Sequence, residues 1–459
     1  MYDLVVIGAG PAGETGAIRA AQLGLKVAVV DKRADLGGTC LNVGCIPTKA
    51  LLESAKMWTK LQHAEKFGFS FNKLEFHWDQ IQARKDKIVD DQRKGLRFLM
   101  KKNKIDVHKG TARFVNATTL EVTEDKTSQK IEARNILIAT GSEVRPLPFA
   151  TINGKAVHSS DTILSLNKIP KTLAVIGGGV VGMEFASLFG RFGSQVTVIE
   201  LLEQVLPFED EACVKELTRH MERNQQVKIE TGVKVESMED LGESCRVKIV
   251  GQEPRTFEVV LVAIGRRPVL NELGLDKVGV KKQGEFVVVD SHYRTTVPSI
   301  FAVGDVIATP ALAHTASAES IHAVEIIAGK HPPVINYEAN PSAVYTYPEI
   351  SSIGKTEKKL KEAGIAYKAS QFPFAPLAKA KIEDTTEGFI KILHEPTHGE
   401  LLGVHIVGAR ATELIGEFAL GKILETTVEE IAHTIHPHPT ISETVAEAAH
   451  AALGSAIHM

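Results

Sequence analysis

The sequence predicts an α/β protein in which two doubly wound units of parallel sheet and crossover helix precede a separate α+β domain. A strand, glycine turn, helix and second strand occur twice, over residues 2–31 and 172–200. Apolar runs that stop at a glycine follow each copy, as the later strands of a parallel sheet do. From about Tyr337 onward the glycine fingerprints cease, and strand-like runs mix with helices.

In the first unit, Leu4-Val5-Val6-Ile7 leads into Gly8-Ala9-Gly10-Pro11-Ala12-Gly13, a helical stretch, and Val27-Ala28-Val29-Val30-Asp31. Helices are expected from Thr48 to about Leu61 and across 78–103, and Asn135 to Ser142 reads as a buried strand ending in a glycine turn. In the second unit, Leu173-Ala174-Val175-Ile176 leads into Gly177-Gly178-Gly179-Val180-Val181-Gly182 and ends at Val196-Thr197-Val198-Ile199-Glu200. Val260 to Gly265 closes that unit, Ile300 to Asp305 forms a further strand stopping at Gly-Asp, and Phe389 to Leu393 is a strand of the last region. The expected domains are 1–143, 144–267, a central segment 268–336, and 337–459.

A chain of 459 residues with 44% apolar and 24% charged residues can bury several cores. Its net charge of −3 gives no reason to expect nucleic acid or an anionic membrane as partner. No apolar stretch approaches the roughly 20 residues that cross a bilayer, and the N-terminus lacks the basic flank and apolar core of a signal peptide. Four cysteines, Cys40, Cys45, Cys213 and Cys245, are too few for a disulfide scaffold and fit a reducing compartment. The expected location is the cytoplasm; a mature mitochondrial-matrix protein would look the same.

Gly-x-Gly-x-x-Gly alone is weak evidence, but here each copy has a strand before it, a helix after it and an acid at the end of the second strand. The glycines permit a tight turn, backbone approach to a pyrophosphate, and close helix–strand packing. The helix N-terminus offers unpaired N–H groups to phosphate. Asp31 and Glu200 are placed to accept hydrogen bonds from a ribose. The bland alternative is a pair of structural turns; full context twice over argues for two bound dinucleotides. No Lys or Arg follows Glu200 until Lys215, so the second site favours NAD over a 2′-phosphorylated form.

Between the fingerprints lies Gly37-Gly38-Thr39-Cys40-Leu41-Asn42-Val43-Gly44-Cys45-Ile46-Pro47-Thr48-Lys49. A straight helix turns positions five apart away from one another, so bringing Cys40 to Cys45 needs a distortion, which Gly44 or Asn42 can allow. Helical sequence follows at once, placing Cys45 in a field that favours thiolate. No second cysteine pair or spaced histidine pair suggests zinc. Two buried structural thiols remain the plain alternative.

This 13-residue segment resembles the redox-active segment of the pyridine-nucleotide disulfide oxidoreductases, and its Leu-Asn-Val-Gly form is most similar to the dihydrolipoamide dehydrogenases. The resemblance runs along nearly the whole chain and includes Ala139-Thr140-Gly141, Ala302-Val303-Gly304-Asp305, Leu312-Ala313-His314 and the stretch from His436 to Glu443. It implies FAD at Gly8, Gly10, Gly13, Asp31, Lys49, Thr140, Gly141, Asp305 and Ala313. It implies NAD at Gly177, Gly179, Gly182, Glu184, Glu200 and Gly265, with Glu184 also matching the acid that pairs with Lys49. His438 would be the acid–base catalyst and Glu443 its partner, a pairing that suits histidine's unperturbed pKa near 6.5.

The implied reaction is oxidation of a dihydrolipoyl dithiol by a Cys40–Cys45 disulfide, with the electron pair leaving through FAD to NAD. The C-terminal α+β domain would be the dimerisation domain of a homodimer, with His438 serving the other subunit. The expected partners are lipoyl-bearing subunits of 2-oxo acid dehydrogenase complexes or of the glycine-cleavage system, with no nucleic acid, membrane or metal. The rivals are another disulfide reductase of the same family and a catalytically silent flavoprotein scaffold.

Two positions depart from the family pattern. Glu14 stands where an aromatic is common and is expected to face away from the phosphates. Pro437 replaces a small residue and would stiffen the approach to His438. Cys213 and Cys245 match no redox position, and His436 is expected to be structural.

Overall fold

Residues 1–458 are described by a computed structural model. Three sheets organise it. In the first, Asp106–Lys109, Val27–Asp31, Tyr2–Ile7, Thr127–Ile138 and Ile300–Ala302 lie side by side in parallel. Leu4, Val5, Val6, Ala28, Val29 and Ile136 are almost completely buried, as expected of strands covered on both faces. The strand Ile300–Ala302 follows the second unit in sequence yet docks on this first sheet. The far end of Thr127–Ile138 continues into an antiparallel meander with Thr119–Glu124 and Thr111–Asn116.

The second sheet repeats the plan, with Val227–Glu230, Gln195–Ile199, Thr172–Ile176, Val259–Val262 and Val157–Ser159 in parallel. Short antiparallel strands, Ser142–Val144 and Arg266–Pro268, join where the chain leaves the first unit and returns to it. Helix Pro11–Gln22 packs on helix Ala313–Ile327. Gly16 permits that approach, because a Cβ there would lie 2.1 Å from Ser320 Oγ.

The third sheet is antiparallel, in the order Ser342–Val344, Glu349–Gly354, Leu401–Gly408, Gly388–His394, Lys368–Pro373. Its own core is built from residues such as Phe372, Ile390, Ile406 and Phe418. A polar row crosses this sheet in register: Ser342 opposite Ser352, Ser352 opposite His405, His405 opposite Lys391. The row meets the start of helix Glu211–Asn224 in the second unit. There Glu209 accepts from the hydroxyls of Ser342 at 2.6 Å and Ser352 at 2.7 Å. Lys391 Nζ donates to Asp210 at 2.8 Å and to Glu357 at 2.6 Å. Buried charges are tolerable only when paired in this way.

Candidate active site

Each fingerprint glycine has a distinct steric reason. Gly8 and Gly177 adopt φ of 101° and 104°, and a Cβ there would meet the backbone oxygens of Ala139 and Ala263 at 2.3 and 2.4 Å. A Cβ on Gly13 or Gly182 would sit 1.8 or 2.0 Å from the carbonyl oxygen of Gly8 or Gly177. The middle glycines behave differently. Gly10 meets nothing closer than Gly38 Cα at 3.7 Å, and Gly179 meets nothing within 4 Å. They are the N-caps of helices Pro11–Gln22 and Val180–Arg191. Bare backbone, a helix N-terminus and room in front of it fit a pyrophosphate at both positions.

The acids at the strand ends add a feature not anticipated from sequence. Asp31 accepts from the N–H of Ala9 at 2.7 Å and of Arg33 at 2.8 Å. Glu200 accepts from Gly178 N at 2.5 Å and Leu202 N at 2.8 Å. Each carboxylate therefore clamps the glycine turn itself, and its remaining lone pairs are what a ribose would use. Near the second clamp the basic side chains Lys228 and Arg255 are both paired with Glu230, which leaves them committed elsewhere.

A cavity of about 780 Å³ runs from the first fingerprint past both cysteines. Its wall contains Gly8, Gly10, Asp31, Lys49, Thr140, Gly141, Asp305 and Ala313 of the expected FAD residues; Gly13 lies behind it, packed on Gly8. Glu184 also lines this cavity, facing Lys49, whereas Gly177, Gly179, Gly182, Glu200 and Gly265 lie outside its wall. Sequence reasoning missed several wall residues. Ser142 donates to Asp305, and Arg266 Nε donates to Ser142 Oγ at 2.8 Å, so an Arg–Ser–Asp chain orients the Asp305 carboxylate. Glu319 accepts from Gly304 N at 2.7 Å and supports the same loop from below. Ser142 and Arg266 directly follow the glycines Gly141 and Gly265 that end their strands; that position was the available signal.

The cysteine segment forms two helices, Gly38–Val43 and Cys45–Gln62, broken at Gly44 with φ −140° and ψ −113°. A Cβ on Gly44 would press to 2.9 Å of Thr39 O, so the break needs glycine. Asn42 does not supply the distortion. Its amide donates to Leu36 O at 2.9 Å and Gly38 O at 2.8 Å and anchors the segment. Cys45 is the first residue of the longer helix, three residues earlier than the Thr48 expected from sequence. Both cysteines are free, and a hydrogen bond from the Cys40 thiol favours the thiolate form of Cys45. That hydrogen bond and the charge of Lys49, against burial, bring the Cys45 thiol down to about 7. The same hydrogen bond, burial and the charges of Cys45 and Glu14 push Cys40 far up. The pair is asymmetric: a thiol at Cys40 and a thiolate at Cys45.

Lys49 lies one turn beyond Cys45. Its Nζ donates to Glu184 Oε1 at 2.8 Å and Oε2 at 2.7 Å and sits 4.6 Å from the centre of the Tyr345 ring. Tyr345 N completes the Glu184 site at 3.0 Å. Burial pulls Lys49 down, but the Glu184 carboxylate outweighs it and holds the ammonium above its ordinary pKa. Glu184 is 3% exposed, which excludes a solvated helix charge.

His438 and Glu443 lie together but apart from this cavity. His438 Nδ1 is 2.8 Å from Glu443 Oε1, and Thr440 N donates to Glu443 Oε2 at 2.8 Å. Burial would raise the Glu443 carboxyl, yet His438 and the Thr440 amide hold it below the usual range. The His438 side chain is 71% exposed, and neither residue belongs to the cysteine cavity of its own chain. His436 is structural, its ring held between Thr434 O at 3.0 Å and Glu417 at 3.1 Å. Cys213 and Cys245 are buried thiols away from the site. Glu14 is outside the cavity wall, and its Oε2 is enclosed without a hydrogen-bond partner.

Residues 2–320 match the family model described as pyridine nucleotide-disulphide oxidoreductase, and residues 340–449 match the dimerisation domain of the same group. The chain is 42% identical to dihydrolipoyl dehydrogenase 2, mitochondrial, of Arabidopsis thaliana, over 100% of this chain and 91% of that protein. It is also 42% identical to the leghemoglobin reductase of Vigna unguiculata, over 97% of this chain and 87% of the relative. Among solved structures, LpdA of Mycobacterium tuberculosis superimposes with a TM-score of 0.92 at 28% identity, covering 97% of this chain and 98% of that one. The HOCl-induced flavoprotein disulfide reductase RclA of Escherichia coli gives 0.88 at 27% identity, covering 98% and 99%.

Proposed function

The chain belongs to the pyridine nucleotide-disulphide oxidoreductases, and from that premise we propose that it works as a dihydrolipoyl dehydrogenase, oxidising dihydrolipoyl groups with NAD as acceptor. The observation that carries this reading is the asymmetric Cys40–Cys45 pair beside the Lys49–Glu184 ion pair, in one cavity with the first fingerprint. A silent scaffold has no use for a depressed thiolate, a buried counter-charge and a His–Glu pair together.

In the oxidised enzyme Cys40 and Cys45 share a disulfide. A substrate thiolate attacks Cys40 Sγ, the Cys40–Cys45 bond breaks, and Cys45 leaves as the thiolate that its helix N-terminus and Lys49 favour. The second substrate thiol gives its proton to His438 of the partner subunit and attacks the substrate sulfur bonded to Cys40. Oxidised substrate departs and Cys40 takes up the proton. Glu443 keeps the imidazole oriented and stabilises its charged form. FAD, held along the first fingerprint, Asp31, the Thr140–Gly141 turn and Asp305, supplies the two-electron link between this dithiol and NAD at the second fingerprint. Lys49, Glu184 and Tyr345 hold one another in the cavity wall beside the cysteines.

The dimerisation-domain match supports a homodimer. Ile435, at 95% exposed, and Leu420, Ile423 and Leu424 present an apolar face on that domain. Ile435 lies three residues from His438, so a second copy covering this face would lie beside the His438–Glu443 pair. The partners that fit are lipoyl-bearing subunits of 2-oxo acid dehydrogenase complexes or of a glycine-cleavage system. The mitochondrial relatives favour a matrix location over the cytoplasm expected from sequence. No described helix is long and apolar enough to cross a membrane.

The test is a visible spectrum of the purified protein during addition of dihydrolipoamide and then NAD. The reading requires flavin absorbance that changes with the dithiol and returns as NADH forms. Bound flavin indifferent to dihydrolipoamide would keep the family and remove the substrate.

A further inference from the structure

We propose that Tyr345 is a positioning residue for the redox centre: a ring supplied by the C-terminal domain fixes where the Lys49 ammonium sits beside Cys45. Tyr345 directly follows strand Ser342–Val344 of the third sheet. Lys49 belongs to helix Cys45–Gln62 of the first unit, and Glu184 to helix Val180–Arg191 of the second. Three parts of the chain therefore meet at one ammonium. Its Nζ donates to both Glu184 oxygens and lies 4.6 Å from the centre of the Tyr345 ring, while Tyr345 N donates to Glu184 Oε1 at 3.0 Å.

The segment that carries the ring is held on both sides. Val344 is fully buried, in one core with Leu51 and Leu52 of the cysteine helix and Phe185 of the Glu184 helix. Two residues after Tyr345, Tyr347 N donates to Ser187 Oγ at 3.3 Å, and Tyr347 O accepts from Gln225 Nε2 at 2.6 Å. The Arg191 guanidinium, one turn beyond Ser187, lies 4.6 Å from the centre of the Tyr347 ring. Segment and helix thus run in step, with main-chain N–H on a side chain and a ring on a cation at each end.

A lysine ammonium is a point charge on a flexible four-carbon stem, and a carboxylate can pair with it from many directions. The face of an aromatic ring adds a second, directional attraction. Burial pushes the Tyr345 phenol up against the charge of Lys49, so the contact is with a neutral ring face and not with a phenolate. Cys45 and Lys49 are four residues apart on one helix, which sets their side chains next to each other, and both line the same cavity. Held by Glu184 and Tyr345 together, the ammonium keeps one place relative to the Cys45 sulfur. Without the ring it can swing about Glu184, and its stabilisation of a Cys45 thiolate weakens. The use of this in turnover rests on the dithiol-oxidising reading; the placement of the charge does not.

The experiment is iodoacetamide alkylation of the flavin-loaded enzyme, reduced anaerobically with dithionite, with Cys45 quantified by peptide mass spectrometry across the pH range. Tyr345→Phe keeps the ring face and should keep the parental profile. Tyr345→Leu removes it and should move the Cys45 profile up by about half to one pH unit, a loss of about threefold to tenfold in rate on the acid side. Pentafluorophenylalanine in place of Tyr345 keeps the shape of the ring but reverses its field, so it should shift the profile as Leu does and decides the matter even where Tyr345→Leu loses its flavin. A parental profile with the fluorinated ring, or a shift in Tyr345→Phe as large as in Tyr345→Leu, overturns the proposal. A parent that fails to oxidise dihydrolipoamide would remove the substrate and leave this charge measurement standing.

Discussion

Replacing Glu184 by Gln keeps the shape of the side chain and removes its charge. In the parent, both carboxylate oxygens accept from Lys49 Nζ at 2.8 and 2.7 Å, and Tyr345 N donates at 3.0 Å. The Glu184 side chain is 4% exposed and that of Lys49 is 30% exposed. Removing one member of a fully buried pair costs about 3–5 kcal/mol, because the other charge is left uncompensated. Here the ammonium can reach some water and the Gln oxygen still accepts one hydrogen bond, so about 2 kcal/mol is expected. The sign with pH follows from Lys49. In the parent its pKa is raised, so the pair stabilises fully below the unfolded lysine pKa and the gain is lost as pH rises through the folded value. In Glu184→Gln burial is opposed only by the weaker influences of Cys45 and Tyr345, so the Lys49 pKa falls and the deficit should shrink once alkaline pH neutralises the ammonium. Guanidinium unfolding of the holoenzyme, followed by tryptophan fluorescence at neutral and alkaline pH, measures both. Glu184 also raises Cys45, so Cys45 alkylation in the variant should shift to lower pH. A neutral-pH midpoint equal to the parent's, with an unmoved Cys45 profile, would refute the account of this ion pair.

The other predictions concern separate parts of the molecule. Glu14 has a folded pKa of about 7 against 4.5 for the free side chain, so its contribution to stability is full at acid pH and lost as pH rises through that window. Glu14→Gln should therefore be more stable than the parent at about pH 8, by about 2 kcal/mol after discounting partial exposure, and equal to it near pH 4; thermal melts at the two pH values decide. Gly182→Ala places a Cβ 2.0 Å from Gly177 O and should displace the second fingerprint, abolishing NADH binding by fluorescence titration while bound FAD is retained. Glu443→Gln should lower kcat for dihydrolipoamide by about tenfold to a hundredfold, with the flavin spectrum unchanged.

Much of the fold is legible because its signals are local. Val27–Asp31 and the helix at 78–102 fall within a residue of their expected ends, since buried parallel strands and long periodic helices announce themselves. The helix after the cysteines starts at Cys45 rather than Thr48, because the Gly44 break, and not Pro47 or Thr48, sets its beginning. What escaped notice was tertiary. Nothing in the sequence shows that Ser142 and Arg266 meet at Asp305, or that the strand-end acids clamp the glycine turns. Glu14 was conspicuous as a departure, yet only the fold shows that its Oε2 is enclosed without a hydrogen-bond partner.

The serine–histidine–lysine row has a consequence for exchanging parts between relatives. Its four members sit on four different strands, while the acids they satisfy, Glu209 and Asp210, belong to the other side of the junction. A chimera that grafts the C-terminal sheet of a relative onto residues 1–340 inherits one half of a lock without its key. Matching the apolar contacts would not rescue it, because the two acids would remain enclosed without their donors. The boundary that survives recombination therefore lies in neither linker; it encloses the loop at 209–210 with the sheet it serves.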